Sequence, residues 1–289
     1  MQDLVGDRLD VIANTGDDVE ILGVHVSPDP DLVTYWLSGE IDEERGWGIR
    51  GDSFTVFERL VRLGAPDWFS LSDRDLATCL RRTELESGGA GHTAAQVEIA
   101  STLGARARVL PMSDDPVRTR VRTPEGRLGL QEYLVREHSQ PPIDGVELEG
   151  IDSASPTREV LDAIARADAI VIGPSNPAIS IGPILAVPGM RESIAAAPAP
   201  VVAVSPFVAG EVIKGPTDKF MRALGEEPTA AGVAAVYGDL LDGLVVDAGD
   251  PDPPPDGIPT LVIPTLMDDA DSRRDVAERT LEFARTLAA

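Results

Sequence analysis

An open α/β sheet of the doubly wound, Rossmann-like kind is what this sequence predicts, mostly parallel, with a largely helical insertion and a β-hairpin. Three observations predict it. Short β-branched apolar runs recur along the chain, helical patterns fill the gaps between them, and the runs are nearly continuous in hydrophobicity. Unbroken apolar character suits strands covered on both faces, and alternation of strand with helix is the connectivity a parallel sheet requires.

The runs fall at residues 9–13, 107–110, 169–172, 201–204, 244–246 and 261–263. Helical patterns occupy 94–103, 156–167, 190–197, 217–224, 230–241 and 270–287. Two regions break the alternation within what reads as a single domain spanning 1–289. Residues from about 29 to 92 are mostly helix and loop, including 53–63 and 76–86, and are expected to sit beside the sheet and cover a site. Residues 119–135 read as a hairpin around Thr123-Pro124-Glu125-Gly126, a sequence suited to a tight turn. The proline-rich stretch 250–256 excludes helix and central strand and reads as a surface loop.

Composition narrows the function classes. With 49 acidic against 25 basic residues, the 289-residue chain has a formal net charge of −24. Nucleic-acid binding needs a basic footprint, so it is not expected here. Only Lys214 and Lys219 are lysines; every other basic residue is arginine. An acidic, lysine-poor surface points to salt adaptation, since concentrated salt shortens the Debye length to about 3 Å and screens like-charge repulsion. Ordinary acidity in a GC-rich genome is the alternative. One cysteine, Cys79, excludes an internal disulfide and a multi-cysteine metal site. The chain carries no run of apolar residues long enough to span a bilayer and no signal peptide, so a cytoplasmic protein without membrane partners is expected.

The strand ends carry the chemistry. In open α/β sheets ligands sit beyond the carboxyl ends of the strands, where loops and helix N-termini converge. Here those ends read Asn14-Thr15-Gly16-Asp17-Asp18, Pro111-Met112-Ser113-Asp114-Asp115, Gly173-Pro174-Ser175-Asn176-Pro177 and Ser205-Pro206. Each alone is a good turn or cap. Four together on one edge, two with paired carboxylates, point to Mg²⁺ and a phosphate cradle, because that ion prefers hard oxygen ligands. His25, His92 and His138 lack metal-ligand spacing, and His25 lies in an apolar Val-His-Val run where packing is the better reading.

Taken in order, these segments join Ser27-Pro28-Asp29-Pro30-Asp31, Gly46-Trp47-Gly48-Ile49 and Leu71-Ser72-Asp73-Arg74-Asp75-Leu76-Ala77-Thr78. The series resembles the 2-phospho-L-lactate transferase (CofD) family of coenzyme F420 biosynthesis, from about residue 9 to 246, and the charge resembles its haloarchaeal branch. The resemblance implies a Mg²⁺-dependent enzyme that moves a phospholactyl group from guanosine-diphospho-lactate to the ribityl hydroxyl of the deazaflavin Fo, releasing GMP; some relatives use other three-carbon donors. It places the metal on Asp17 and Asp18. It places Fo near Trp47, Ser70, Asp73, Arg74 and Asp31, with Asp31 also a candidate to position the alcohol or take its proton. Ser113, Asp114, Ser175, Asn176 and Ser205 fall on the nucleotide side. A homodimer is expected.

Three departures stand out. Family members carry a further strand and a Gly-rich loop before the segment that starts here at Arg8, which points to a start assigned too far downstream. Cys79 stands where His is usual, and Ser72 where Gly is common. Two other readings compete: a nucleotide-sugar-binding regulator of the gluconeogenesis-factor type, and an unrelated Mg²⁺ phosphohydrolase.

Overall fold

The computed structural model describes residues 1–288. The chain opens with a helical turn, α1 (Gln2–Val5), then β1 (Asp10–Ala13) and a tight hairpin of β2 (Val19–Ile21) and β3 (Val24–Val26). Helices α2 (Pro28–Ser38), α3 (Thr55–Arg62), α4 (Asp73–Ser87) and α5 (His92–Thr102) form the insertion. Strand β4 (Arg108–Pro111) then returns to pair in parallel with β1, and the paired ends Asp10 and Arg108 are locked by a bidentate ion pair with both contacts at 2.7 Å. Next come β5 (Arg118–Thr123), β6 (Gly126–Gly129) and β7 (Gly145–Glu149), which make a three-stranded antiparallel sheet in the order β6-β5-β7.

The second half alternates: α6 (Arg158–Arg166), β8 (Ile170–Ile172), α7 (Gly182–Ala186), α8 (Met190–Ala195) and β9 (Val201–Val204). A two-residue-per-strand hairpin, β10 (Phe207–Val208) and β11 (Glu211–Val212), precedes α9 (Thr217–Ala223) and α10 (Ala230–Tyr237). Strands β12 (Gly243–Asp247) and β13 (Thr260–Ile263) and the long helix α11 (Ala270–Leu287) close the chain. All pairings among β13, β12, β9 and β8 are parallel, in that spatial order. Every residue of β9 and β12 is buried, as the unbroken apolar runs require.

Two expectations need correction. The parallel strands do not form one sheet: β1 and β4 pair only with each other and make no ladder with β8. Strand β4 ends in Pro111, which has no amide to donate and suits an unpaired edge. The two parts nevertheless share a core, in which Leu110 and Met112 pack with Ile172, Val201 and Ala203. The expected hairpin at 119–135 is a three-stranded sheet, with β6 ending at Gly129 and β7 added from residues the sequence reading left unassigned. Among the described residues, no helix is long and apolar enough to cross a membrane.

The insertion is held together by buried polar contacts. Arg82 on α4 is fully buried and grips both carboxylate oxygens of Asp31 on α2, one at 3.0 Å and the other closer. It also donates to Gln96 on α5, whose amide donates in turn to Thr34 at 2.9 Å. One guanidinium therefore fixes three helices. Beside it, Tyr35 donates to Asp75 at 2.8 Å, and burial, together with the charge of Asp31, pushes the Asp75 carboxyl up to about 6.

Arg82→Met strands the buried Asp31 charge and is expected to cost roughly 3–5 kcal/mol in denaturant unfolding, most of it recovered in the Asp31→Leu/Arg82→Met pair. Folding raises the Asp75 pKa above its unfolded value of about 4, so its stabilising share is present below that pH and is lost as pH rises through about 6. Asp75→Asn should therefore gain roughly 1–3 kcal/mol on the wild type between pH 4 and pH 7. A gap between the two proteins that stays constant across that range would show that Asp75 titrates normally.

Candidate active site

The loop after β1 is organised by one side chain. Asn14 accepts from the Gly16 amide at 2.7 Å, and its own amide donates to Asp29 at 3.0 Å and to the Ile179 carbonyl at 3.3 Å. Those contacts draw together the β1 loop, the start of α2 and the turn after β8. Gly16 has no room for a side chain: a Cβ there would lie 2.6 Å from the Thr119 hydroxyl and 2.9 Å from Asn14 Oδ1. The turn after β8, Pro177–Ile181, is a single π-helical turn capped by Asn176, whose Oδ1 accepts from the amides of Ala178 and Ile179. Such turns are uncommon and recur at functional sites.

Asp17 is buried and accepts from Gln131 at 3.1 Å; one of its oxygens also meets the Asn14 amide at 3.4 Å. Burial, then the charges of Asp29 and Asp18, raise its carboxyl well above the usual range. Asp29 is raised as well, by burial chiefly, with the Asn14 hydrogen bond opposing. Two neighbouring carboxylates that both resist ionisation are short of positive charge. The buried hydroxyls of Thr15 and Thr119 have no hydrogen-bond partner close by. A divalent cation held by Asp17 and Asp29 would supply that charge, and hard oxygen donors of this kind fit Mg²⁺. Asp17 opens onto a cleft of about 370 Å³ lined also by Trp68, Arg118, Arg120 and Gln131.

Asp18 has other partners. Its oxygens accept from the Ser27 hydroxyl at 2.7 Å and from His25 Nε2 at 2.9 Å, which leaves little of it for a cation shared with Asp17. His25 is not a packed apolar-run residue. Its other nitrogen donates to Glu86 at 2.7 Å; burial alone would lower its pKa, but the bonds to Asp18 and Glu86 raise it to about 9. Glu86 also receives His92 Nδ1 at 2.6 Å, and the two imidazoles hold it down to about 2 against the effect of burial.

The other expected residues divide. Asp31 has its carboxylate committed to Arg82, so it is poorly placed to take a proton from a substrate. Asp73 caps α3, accepting from Ser53 at 2.6 Å and the Val56 amide at 2.9 Å, which lowers its carboxyl. Arg74 donates to the Gly51 carbonyl and faces Asp52 at 3.6 Å. Trp47 is 48 % exposed under the Arg45 guanidinium, and Ser70 is exposed. None of Trp47, Ser70, Asp73 and Arg74 lines the cleft at Asp17; the aromatic ring there is Trp68, which the sequence reading did not single out. Ser113 donates to the Ser155 carbonyl, Asp114 accepts from the Thr93 amide at the start of α5, and Ser205 accepts from the Phe207 amide. These three shape loops. Ser175 is exposed beside Asn176 at the π turn.

The profile of the family described as "2-phospho-L-lactate transferase CofD" matches residues 2–255. The chain belongs to the CofD family. Similar proteins include bearers of two names. A phosphoenolpyruvate transferase of Kitasatospora aureofaciens is 42 % identical over 290 residues, covering 96 % of this chain and 90 % of that protein. A 2-phospho-L-lactate transferase of Methanosarcina acetivorans is 42 % identical over 244 residues, 84 % of this chain and 79 % of that protein. Among solved structures, protein BH3568 of Bacillus halodurans superposes with a TM-score of 0.57 at 20 % identity, covering 93 % of this chain and 90 % of that one, which supports the α/β fold.

Gly16→Ala tests the loop. The added methyl must displace Thr119 or Asn14, so transfer is expected to fall at least tenfold while circular dichroism stays native. Full turnover in that variant would show that the loop geometry does not matter to catalysis.

Proposed function

We propose that this chain transfers a 2-phospholactyl group from a guanosine-diphospho-linked lactate to the ribityl hydroxyl of the deazaflavin Fo, giving coenzyme F420-0 and GMP. A new phosphorus–oxygen bond forms to the alcohol, the diphosphate bridge breaks, and the leaving oxygen departs on GMP. Membership of the CofD family supports the reaction class. The observation that carries the site is the buried, charge-deficient Asp17 at the wall of a cleft with two arginines.

The chemistry needs charge neutralisation on the non-bridging oxygens and alignment of two large substrates. Mg²⁺ bound at Asp17 and Asp29 would supply the first as a Lewis acid. Arg118 and Arg120 face the same cleft and attract the diphosphate, a strong requirement in a protein of net charge −24. Gln131 holds the Asp17 carboxylate in orientation, and Asn14 holds that of Asp29. Trp68 offers a flat face to the deazaflavin ring, which is read by stacking more than by charge.

A second donor is suggested by the names among the relatives. Proteins named phosphoenolpyruvate transferase are 40 to 42 % identical to this chain, level with the 38 to 42 % of those named 2-phospho-L-lactate transferase. An enolpyruvyl donor would give a product lighter by two hydrogen atoms. Incubating the protein with Fo, Mg²⁺ and each guanosine-diphospho donor, followed by mass spectrometry, distinguishes them. Asp17→Asn should lower turnover by at least a hundredfold with the fold intact, because an amide is a poor ligand to Mg²⁺. Turnover at the wild-type rate in saturating Mg²⁺ would make Asp17 a loop residue only. Absence of product from either donor would overturn the transferase reading.

A further inference from the structure

Beside the cleft, reached through Asp18, lies a second group of ligand atoms that the transfer chemistry does not use. One ring nitrogen each of His25 and His92 and an oxygen of Asp18 all lie within 4.8 Å of one another. Asp18 Oδ2 is 2.9 Å from His25 Nε2 and 3.6 Å from His92 Nε2. Ligands about 2.0–2.1 Å from a tetrahedral ion stand about 3.3 Å apart, so these separations bracket the required value. We propose that His25, His92 and Asp18 form a binding site for a transition-metal ion of the Zn²⁺ class, distinct from the Asp17–Asp29 pair.

The outer contacts point the same way. Glu86 receives Nδ1 of both imidazoles, His25 at 2.7 Å and His92 at 2.6 Å, which fixes both rings with Nε2 turned inward. A carboxylate behind a ligating imidazole is the usual support of a histidine metal site, and here one carboxylate serves two rings. Ser27 donates its hydroxyl proton to Asp18 at 2.7 Å and so has none left for His92 Nε2, 3.3 Å away. His92 Nε2 thus faces the Ser27 oxygen at 3.3 Å and an Asp18 oxygen at 3.6 Å, with no proton of Ser27 directed at it. A cation between Nε2 and Asp18 would fill that gap. The donors are two imidazole nitrogens and one carboxylate, a set that selects Zn²⁺, Co²⁺ or Ni²⁺ over Mg²⁺. Ser27 or a water completes four-coordination. The other grouping of this kind, Asp31, Asp75 and Cys79, differs in its counter-ion: the Arg82 guanidinium that grips Asp31 cannot give up a proton to make room for an ion, whereas the His25 imidazole beside Asp18 can.

Such an ion would tie β3, the N-terminus of α5 and the β1 loop at one point, and through Asp18 it would steady the neighbouring Asp17. The inference does not depend on the transferase reading. The test uses the full chain stripped with a chelator, then titrated with Zn²⁺ in a calorimeter and with Co²⁺ in a spectrophotometer. One equivalent of Zn²⁺ should bind with proton release. Co²⁺ should give the intense visible bands of a tetrahedral site. Zn²⁺ should also raise the thermal midpoint where millimolar Mg²⁺ does not. The His25→Gln/His92→Gln pair should lose the cobalt bands, and Glu86→Gln should weaken Zn²⁺ by 10- to 100-fold. Asp17→Asn should leave Zn²⁺ affinity unchanged. No binding by the wild-type chain overturns the proposal. So do cobalt bands that survive in the double histidine variant.

Discussion

Buried carboxylates are the constraint on which this fold is organised. Asp17, Asp18 and Asp31 are all buried, Asp29 stands beside them, and the chain around them is strongly acidic. A buried carboxylate must find a cation, a proton or donated hydrogen bonds. Each of the four has a different solution. Asp31 takes Arg82, Asp18 takes Ser27 and His25, and Asp29 takes Asn14. Asp17 receives the amide of Gln131 and, among the described residues, forms no ion pair. Where charge is fully matched the residue builds structure, and the remaining deficit marks the place where an anionic substrate and its cation would meet.

The helical insertion follows from the same constraint. Arginine is the only cation that can grip a carboxylate in two parallel bonds while donating further, and Arg82 uses that capacity to bind α2 to α4 and α5. Lysine, nearly absent from this chain, could not replace it. The Gln96 amide then closes the circuit to Thr34, leaving in this group only Arg82 Nε without a partner.

Much of this was legible in the sequence. The apolar run at 201–204 and the helical pattern at 270–287 match β9 and α11 at both ends, because uninterrupted β-branched residues and a long amphipathic repeat admit few alternatives. The hairpin of β2 and β3 was missed because its turn is Leu22-Gly23, with Leu22 at φ 53°, and not one of the Asn-Gly or Asp-Gly pairs that announce such turns. At the site, Asp17 was legible from its position after a strand. Choosing between Asp29 and Asp31 was not. They lie two apart at the start of α2, so they point to different sides of the helix, one to Asn14 and the other to Arg82. Only the positions of the partners decide which of them stands beside Asp17. Glu86 escaped notice and His92 was set aside for want of metal-ligand spacing, because they meet His25 from 61 to 67 positions away and no local spacing records that.

The split of the parallel strands into a pair and a foursome has a mechanical side. A continuous ladder transmits displacement stiffly from strand to strand, whereas here the two blocks touch through side chains and through the Asn14–Ile179 bond. The boundary between them behaves as a seam, closed by the shared apolar core, by the Arg166–Asp10 ion pair at the start of β1 and by Asn14 at its end. Asn14 also meets Asp17, so a molecule seated in the cleft would reach the seam through that one side chain, and the stiffness of the joint would follow what is bound beside it.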